Sequence, residues 1–153
     1  MPTPKIRHAS LEDLAQVAAL FDSYRQFYEQ EPNLALATGF IQARIKNNQS
    51  TILVAENDTH EIIGFCQLYP TFCSVAAAPI YTLYDLFVTP VVRQSGAGKA
   101  LMIFAHQYAA SQGMARMDLT TAKTNLPAQA LYESLGWIRD EVFYAYNLPV
   151  DGS

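Results

Sequence analysis

Cysteine, tryptophan and cationic residues are scarce in this sequence. Its 153 residues include one tryptophan, two cysteines, and ten lysines and arginines against fourteen aspartates and glutamates. Cys66 and Cys73 lack the further cysteine or histidine neighbours of a zinc site, so we expect no metal and interpret both as reduced thiols of a cytosolic protein. The net charge of −4 argues against a nucleic-acid partner, because phosphate binding requires basic patches.

Membrane signals are missing as well. Residues 1–10 contain no apolar core of a secretory signal. Residues 62–84 carry no charge and could span a bilayer by length, but Gln67 and Pro70 interrupt them. Their alternating pattern favours two buried strands joined by a loop over residues 70–79. We therefore expect a cytoplasmic protein without membrane contact.

Apolar residues, in contrast, make up half of the chain. A chain of this length buries roughly two-thirds of its unfolded surface, so one domain spanning residues 1–153 is expected. Periodicity and capping residues predict strands and helices in the order β-α-α-β-β-β-α-β-α-β, which gives a mixed sheet packed by helices. The predicted strands are 5–8, 51–56, 61–68, 80–88, 115–121 and 139–148, and the predicted helices are 11–31, 34–46, 98–112 and a short one that begins near 127.

A glycine-containing loop carries the clearest motif. An apolar strand stops at Pro90, and a loop with Gly96 and Gly98 then opens a helix. Glycine lets the backbone approach a ligand, and the first N–H groups of a helix lack partners inside it. Such a loop suits an anion, and Arg93 and Lys99 add two positive charges.

Residue spacing excludes two common nucleotide-binding loops. A Walker loop requires glycine at the position of Arg93 and serine or threonine at that of Ala100. A dinucleotide fingerprint requires a third glycine where Leu101 stands. The remaining pattern, Arg-x-x-Gly-x-Gly, resembles the pyrophosphate loop of the GNAT superfamily of acyl-CoA-dependent N-acetyltransferases.

A second segment strengthens this resemblance. Residues 125–137 look like the other GNAT signature, with Asn125, a short helix containing Ala-Leu-Tyr, and Gly136 followed by an aromatic residue. The two motifs occur in the family's order and at its separation. The resemblance covers about residues 52–146 and implies the GNAT fold, a mixed, mostly antiparallel central sheet flanked by about four helices.

The resemblance also implies acetyl-CoA as co-substrate, with its pantetheine arm paired to the central strand like an additional strand. The implied cofactor contacts are Leu86, Phe87, Val88, Arg93, Gln94, Ser95, Gly96, Ala97, Gly98, Lys99, Asn125 and Tyr132. Gln94 stands where many relatives carry glycine, which leaves the fine geometry of the loop open. For Asn125, simple entry into the following helix is the alternative to binding the CoA arm.

Tyr132 matches the position of the family's general-acid tyrosine. Proton transfer from tyrosine, with a pKa near 10, to a thiolate whose thiol has a pKa near 8.5 is unfavourable by roughly 2 kcal/mol. A hydrogen bond that strengthens as charge develops on sulfur would already help. The alternative is a core aromatic, since Ala128, Leu131 and Leu135 share its helix face.

Asp85 is the candidate base. An acceptor amine with a pKa near 10.4 is neutral in about one molecule in two thousand at pH 7, which adds about 4–5 kcal/mol to the barrier. A carboxylate inside an otherwise apolar strand is costly to bury without a task. Binding the substrate cation and a purely structural role both stay open for Asp85.

Aromatic and acidic residues in the segments that come before and after the first strands indicate where the acceptor site lies. In the family, the first two helices and the loop after the third strand shape that site. The candidates here are Tyr24, Tyr28, Glu29 and Tyr69, together with Asp85, which suit a small primary amine. Three alternatives stay open: a protein lysine or N-terminal amine as acceptor, a non-catalytic CoA-binding sensor, and a homodimer that packs these aromatics.

Overall fold

The computed structural model describes residues 3–92 and 95–151. Arg93 and Gln94, two of the predicted cofactor contacts, lie outside the described residues. The chain divides into two compact units, Met1–Thr120 and Thr121–Ser153, which are described separately below.

The N-terminal unit contains five strands and three α-helices. They are β1 (Lys5–His8), α1 (Leu14–Phe27), α2 (Leu34–Lys46), β2 (Thr51–Glu56), β3 (Ile62–Cys73), β4 (Ala78–Val88), α3 (Ala97–Ser111) and β5 (Met117–Asp118). Short 3₁₀ turns at Leu11–Asp13 and Pro90–Val92 precede α1 and α3. The C-terminal unit contains α4 (Leu126–Ser134).

The strands form one sheet in the order β1-β2-β3-β4-β5. From β1 to β4 each strand is antiparallel to its neighbour, and β5 is parallel to β4. The predicted mixed, mostly antiparallel sheet with flanking helices is therefore confirmed. No helix in the two described ranges is both long and apolar enough to cross a membrane.

Helices cover both faces of the sheet. Phe65 of β3 belongs to a buried cluster with Phe21 of α1 and Ile41 of α2. The preceding residue, Gly64, faces Leu101 of α3, whose Cδ1 would lie 3.5 Å from an added Cβ. Because successive residues of a strand point to opposite faces, α1 and α2 lie on one face and α3 on the other.

Side-chain hydrogen bonds fix the starts of α1 and α2. Arg7 of β1 donates to both carboxylate oxygens of Asp13 at 2.8 and 2.9 Å, which ties the start of α1 to the sheet. Asn33 caps α2 by accepting from the N–H of Leu36 at 3.0 Å. The N–H of Asn33 donates in turn to Asp22 of α1, so α2 begins at a fixed place beside α1.

The predicted loop over residues 70–79 is wrong. β3 and β4 continue as a hairpin in which Pro70 pairs with Tyr81 and Phe72 pairs with Pro79, and only residues 74–77 turn. The prolines are tolerated because the ladder between β2 and β3 ends at Leu68, so the missing N–H of Pro70 faces no strand on that edge.

Two strand predictions near the C-terminus also need correction. The strand predicted for residues 115–121 is reduced to β5, which pairs only with Tyr81 and Thr82 of β4. The strand predicted for residues 139–148 is not formed, and described residues 135–151 contain neither helix nor strand. A strand forms only where a neighbouring strand can bond to it, and Tyr144 within this segment is 90% exposed.

Candidate active site

A β-bulge aims Asp85 into the protein. Gln67 of β3 pairs with Asp85 of β4, but the next residue, Leu68, pairs with Leu83, so Tyr84 is an additional residue on β4. Asp85 is only 4% exposed, whereas the adjacent Tyr84 is 66% exposed. The predicted base is thus a buried carboxyl group at an irregular point of β4.

A chain of polar side chains satisfies Asp85. Gln67, which is fully buried, donates from Nε2 to Oδ2 of Asp85 at 2.7 Å, and Ser50 donates to Oε1 of Gln67 at 2.7 Å. The Tyr24 hydroxyl adds a hydrogen bond to Asp85 and lies 3.3 Å from the carbonyl oxygen of Tyr84. Each buried polar group in the chain therefore has a partner.

The surroundings raise the pKa of Asp85 above its ordinary value. Burial is the main cause, and the hydrogen bonds from Gln67 and Tyr24 oppose it because they stabilise the charged form. A carboxylate with a raised pKa is a stronger base than an exposed one. This shift brings Asp85 closer to the pH at which a general base works best.

Aromatic side chains surround this carboxyl group. The Tyr24 ring lies 5.2 Å from that of Tyr28, and the Tyr69 ring lies 5.5 Å from that of Tyr84. Burial and the charge of Asp85 raise the pKa of Tyr24 and raise that of Tyr69 to about 12, so both stay protonated near neutral pH. The structure thus brings together four of the five residues predicted for the acceptor site.

Glu29 is the exception. It follows α1 in a turn, with a φ of 64° and an exposed side chain. In the described part of the chain its carboxylate forms no hydrogen bond with Tyr24, Tyr69 or Asp85. We therefore leave Glu29 out of the candidate site.

Sequence reasoning missed Gln67, Ser50 and Tyr84. Gln67 had a usable signal, because an amide inside an uncharged buried strand requires a hydrogen-bond partner. The roles of Ser50 and Tyr84 depend on the strand register and the bulge, and no local pattern in the sequence indicates either.

The loop before α3 fits a diphosphate. Gly96 has a φ of 83°, and an added Cβ there would meet no atom of the described residues within 4 Å. The N-cap residue Gly96 has no side chain to offer to α3, and Ser95 Oγ accepts from the Ala97 N–H at 3.4 Å. Among the described residues, Ala100, whose N–H donates to the Gly96 carbonyl at 3.0 Å, is the first with an acceptor at the start of its own helix. The N–H groups of Gly98 and Lys99 thus lie in the first turn of α3, where anions bind.

β5 pairs with only part of β4, the strand that leads to this loop. The ladder with β5 stops at Thr82, whereas β3 remains paired with β4 as far as Val88. The predicted pantetheine contacts at Leu86 to Val88 therefore lie beyond the end of β5. Strand-like pairing of an extended arm is compatible with this arrangement, and the contacts themselves stay predictions.

The C-terminal unit contains the other two predicted cofactor residues. The Asn125 side chain caps α4 by accepting from the Ala128 N–H at 3.3 Å, so it performs the helix entry considered as its alternative role. The Tyr132 ring is half-buried and lies 6.2 Å from the Trp137 ring. The backbone N–H of Trp137 donates to the Tyr132 carbonyl at 3.1 Å. Binding of CoA by either residue stays a prediction.

Comparison with known proteins decides the family. The family model described as Acetyltransferase (GNAT) family matches residues 14–137. The chain belongs to the GNAT family of acetyltransferases. As a GNAT protein it is similar to an uncharacterized N-acetyltransferase of Bacillus subtilis (strain 168), YhfO, with 46% identity over 145 residues, covering 95% of this chain and 97% of the relative.

Two further comparisons agree. A probable acetyltransferase of Haemophilus influenzae is 28% identical over 104 residues, covering 68% of this GNAT chain and 71% of the relative. A crystal structure of a probable acetyltransferase has a TM-score of 0.90 at 34% identity, covering 95% of this chain and 97% of that chain. The fold and the acetyltransferase class are thus established together.

The GNAT family uses acetyl-CoA, and the residues of this chain are compatible with it. The αL glycine, the first turn of α3 at Gly98 and Lys99, and the space around Gly96 that is clear of other described atoms suit a diphosphate. No cluster of three or more His, Cys, Asp or Glu side chains suited to a metal ion occurs within the described ranges.

Proposed function

We propose that this GNAT acetyltransferase transfers the acetyl group of acetyl-CoA directly to a primary amine of a small molecule. The observation that carries the proposal is the buried Asp85, held by Gln67 and Tyr24 on the strand that leads to the α3 loop. Acetyl-CoA would supply an activated thioester, with its diphosphate at Ser95 to Lys99 and its arm along Leu86 to Val88.

Asp85 would remove the proton that the amine must lose. A bound ammonium loses two protons in the reaction: the first leaves before attack, and the second leaves as the nitrogen bonds to the acetyl carbon and the carbon–sulfur bond breaks. The departing thiolate takes up one proton, which balances the second, and the first is released to solvent after turnover. Asp85 accepts the first, directly or through water, because its raised pKa makes it a competent base. Tyr24 and Tyr69 would bind the cationic form of the amine through their rings and hydroxyl groups.

Tyr132 would assist the departing thiolate. A phenol that donates a hydrogen bond to sulfur stabilises the charge that develops there. On this proposal Tyr132→Phe lowers kcat far more than it raises the KM for acetyl-CoA. Unchanged kcat would exclude the acid role.

The test incubates the protein with acetyl-CoA and a panel of polyamines, amino acids, aminoglycosides and peptides. The release of CoA is measured for each acceptor. We expect turnover with a small amine and a loss of about 10²–10⁴-fold in kcat/KM for Asp85→Asn, with the residual activity moved to higher pH. Asp58→Asn, which removes the same charge from an exposed turn, is the control.

Each other outcome of this test has a definite meaning. Turnover with peptides alone would mean that the acceptor is a protein amine and not a small molecule. Tight binding of acetyl-CoA without turnover on any amine would favour a sensor. Failure of acetyl-CoA to raise the melting temperature would refute the proposal.

A further inference from the structure

α2 carries a cation on the face that it turns toward the core. Phe40, Ile41 and Ile45 recur at helical spacing on this face, and Arg44 falls on the same stripe. The guanidinium carbon of Arg44 lies 4.3 Å from the centroid of the Phe40 ring. Apolar side chains are expected along such a stripe, so a guanidinium there calls for an explanation.

The Arg44 side chain is left incompletely satisfied. Its Nε is shielded from water and has no hydrogen-bond partner in the described part of the chain. No described carboxylate lies within 4.0 Å of it, whereas Arg7, Arg25, Arg116 and Arg139 all form such ion pairs. A buried donor without an acceptor is unfavourable, and arginine presents a planar fork that matches a carboxylate.

The charges of Arg44 and Asp85 both act on Tyr69. The charge of Asp85 adds to the rise in the pKa of the Tyr69 phenol that burial causes, and the charge of Arg44 opposes that rise. The Tyr69 ring also lies 5.5 Å from Tyr84, the residue next to Asp85. A buried acid and an unpaired cation therefore act on one aromatic side chain of the candidate acceptor site.

We infer that the acceptor is an amine that also carries a carboxylate, such as an amino acid, with its carboxylate on Arg44 and its amino group toward Asp85. This inference rests on the proposed function, since it places the amine beside Asp85. Opposite charges at two points fix both the position and the direction of a small zwitterion. A simple monoamine or polyamine would leave Arg44 without an anion.

Matched acceptors test the inference without any variant. Each amino acid that is acetylated is compared with its amide, which keeps the amine and the side chain but removes the negative charge. We expect the wild-type protein to prefer the amino acid in kcat/KM by about tenfold or more, mainly through KM. Equal or better use of the amides would overturn the inference and leave the proposed function standing.

Variants at Arg44 then assign the preference to this residue. We expect Arg44→Gln to reduce kcat/KM more for the amino acid than for its amide, by about tenfold, and Arg44→Lys to keep part of the preference. Lys46→Gln removes a cation from the exposed end of the same helix and should leave the preference unchanged. The KM for acetyl-CoA and the melting temperature are measured for all three variants.

Equal losses on both acceptors in Arg44→Gln would show that Arg44 only packs on Phe40, and would overturn the inference. Binding of acetyl-CoA without Asp85-dependent transfer to any amine, charged or neutral, would instead overturn the proposed function. The two failures are therefore distinguishable.

Discussion

At the scale of single residues, the burial of Asp85 makes stability depend on pH. Its folded-state pKa lies above the ordinary value of 3.8, mainly because of burial. Below that value both states hold the proton. As pH rises, the unfolded chain releases it first, so this contribution to stability is lost as pH passes through the folded pKa.

Asp85→Asn should therefore raise the melting temperature relative to wild type at about pH 8. The difference should shrink toward zero below pH 3.8, where wild-type Asp85 is protonated in both states. Thermal melts over this range measure it. A difference that does not vary with pH would mean that the charge of Asp85 is not the cause.

The two cysteines should differ in reactivity. Cys66 is fully buried, and burial raises its pKa to about 12. The pKa of Cys73 is lowered by the Ala76 N–H and by Arg116, whose Nη1 lies 3.3 Å from its sulfur. Because the thiolate is the nucleophile, iodoacetamide should modify Cys73 first in the native protein.

Arg116→Gln should slow that modification by removing the neighbouring charge, and Arg139→Gln, which removes a charge from the C-terminal unit, is the control. Peptide mass mapping over time gives both rates. Faster labelling of Cys66 would contradict this assignment.

Single residues also show what the sequence can reveal of the site. Asp85 was identified because a charge within an apolar strand is a local signal. Its partners Gln67 and Tyr24, and Ser50, which donates to Gln67, come from three other parts of the chain. Their convergence depends on strand register and on the packing of α1. A sequence pattern contains neither.

At the scale of elements, the bounds of β1, β2 and α2 were predicted as observed, whereas the ends of several other elements were not. The bounds 34–46 of α2 are confirmed, because the cap at Asn33 and the periodicity are both local. The far end of β3, the start of β4 and both ends of β5 were missed, because a strand ends where its neighbour stops bonding to it. This is also why the predicted strand at residues 139–148 did not form.

A substitution at Gly64 tests how closely β3 and β4 must approach each other. An added Cβ would lie 3.1 Å from the Phe87 carbonyl oxygen and 3.1 Å from Cγ2 of Val88, in the part of β4 proposed to hold the CoA arm. Gly64→Ala should destabilise the protein by about 1–3 kcal/mol and raise the KM for acetyl-CoA.

Gly39→Ala is the matched control for this substitution. An added Cβ at Gly39 meets nothing within 4 Å, and alanine is the better helix former, so its melting temperature should stay equal or rise. Thermal melts and acetyl-CoA titration compare the two variants. A Gly64→Ala protein as stable as Gly39→Ala would show that the sheet absorbs the methyl group without strain.

At the scale of the whole molecule, the two compact units differ in their cores. The N-terminal unit contains the buried cluster built on Phe65, Phe21 and Ile41. In the described part of the C-terminal unit, residues 121–151, no residue is buried. A segment without buried apolar side chains cannot offset its own conformational entropy, so we propose that residues 1–153 form one domain.

One domain requires one cooperative unfolding transition. Calorimetry should show a single peak whose van't Hoff and calorimetric enthalpies agree. If acetyl-CoA binds only the folded chain, a concentration of about 100 times its Kd should stabilise that whole transition by about 2.7 kcal/mol. Two peaks, of which acetyl-CoA moves only one, would mean that the units unfold independently, and Asn125 and Tyr132 would then contribute nothing to binding the cofactor.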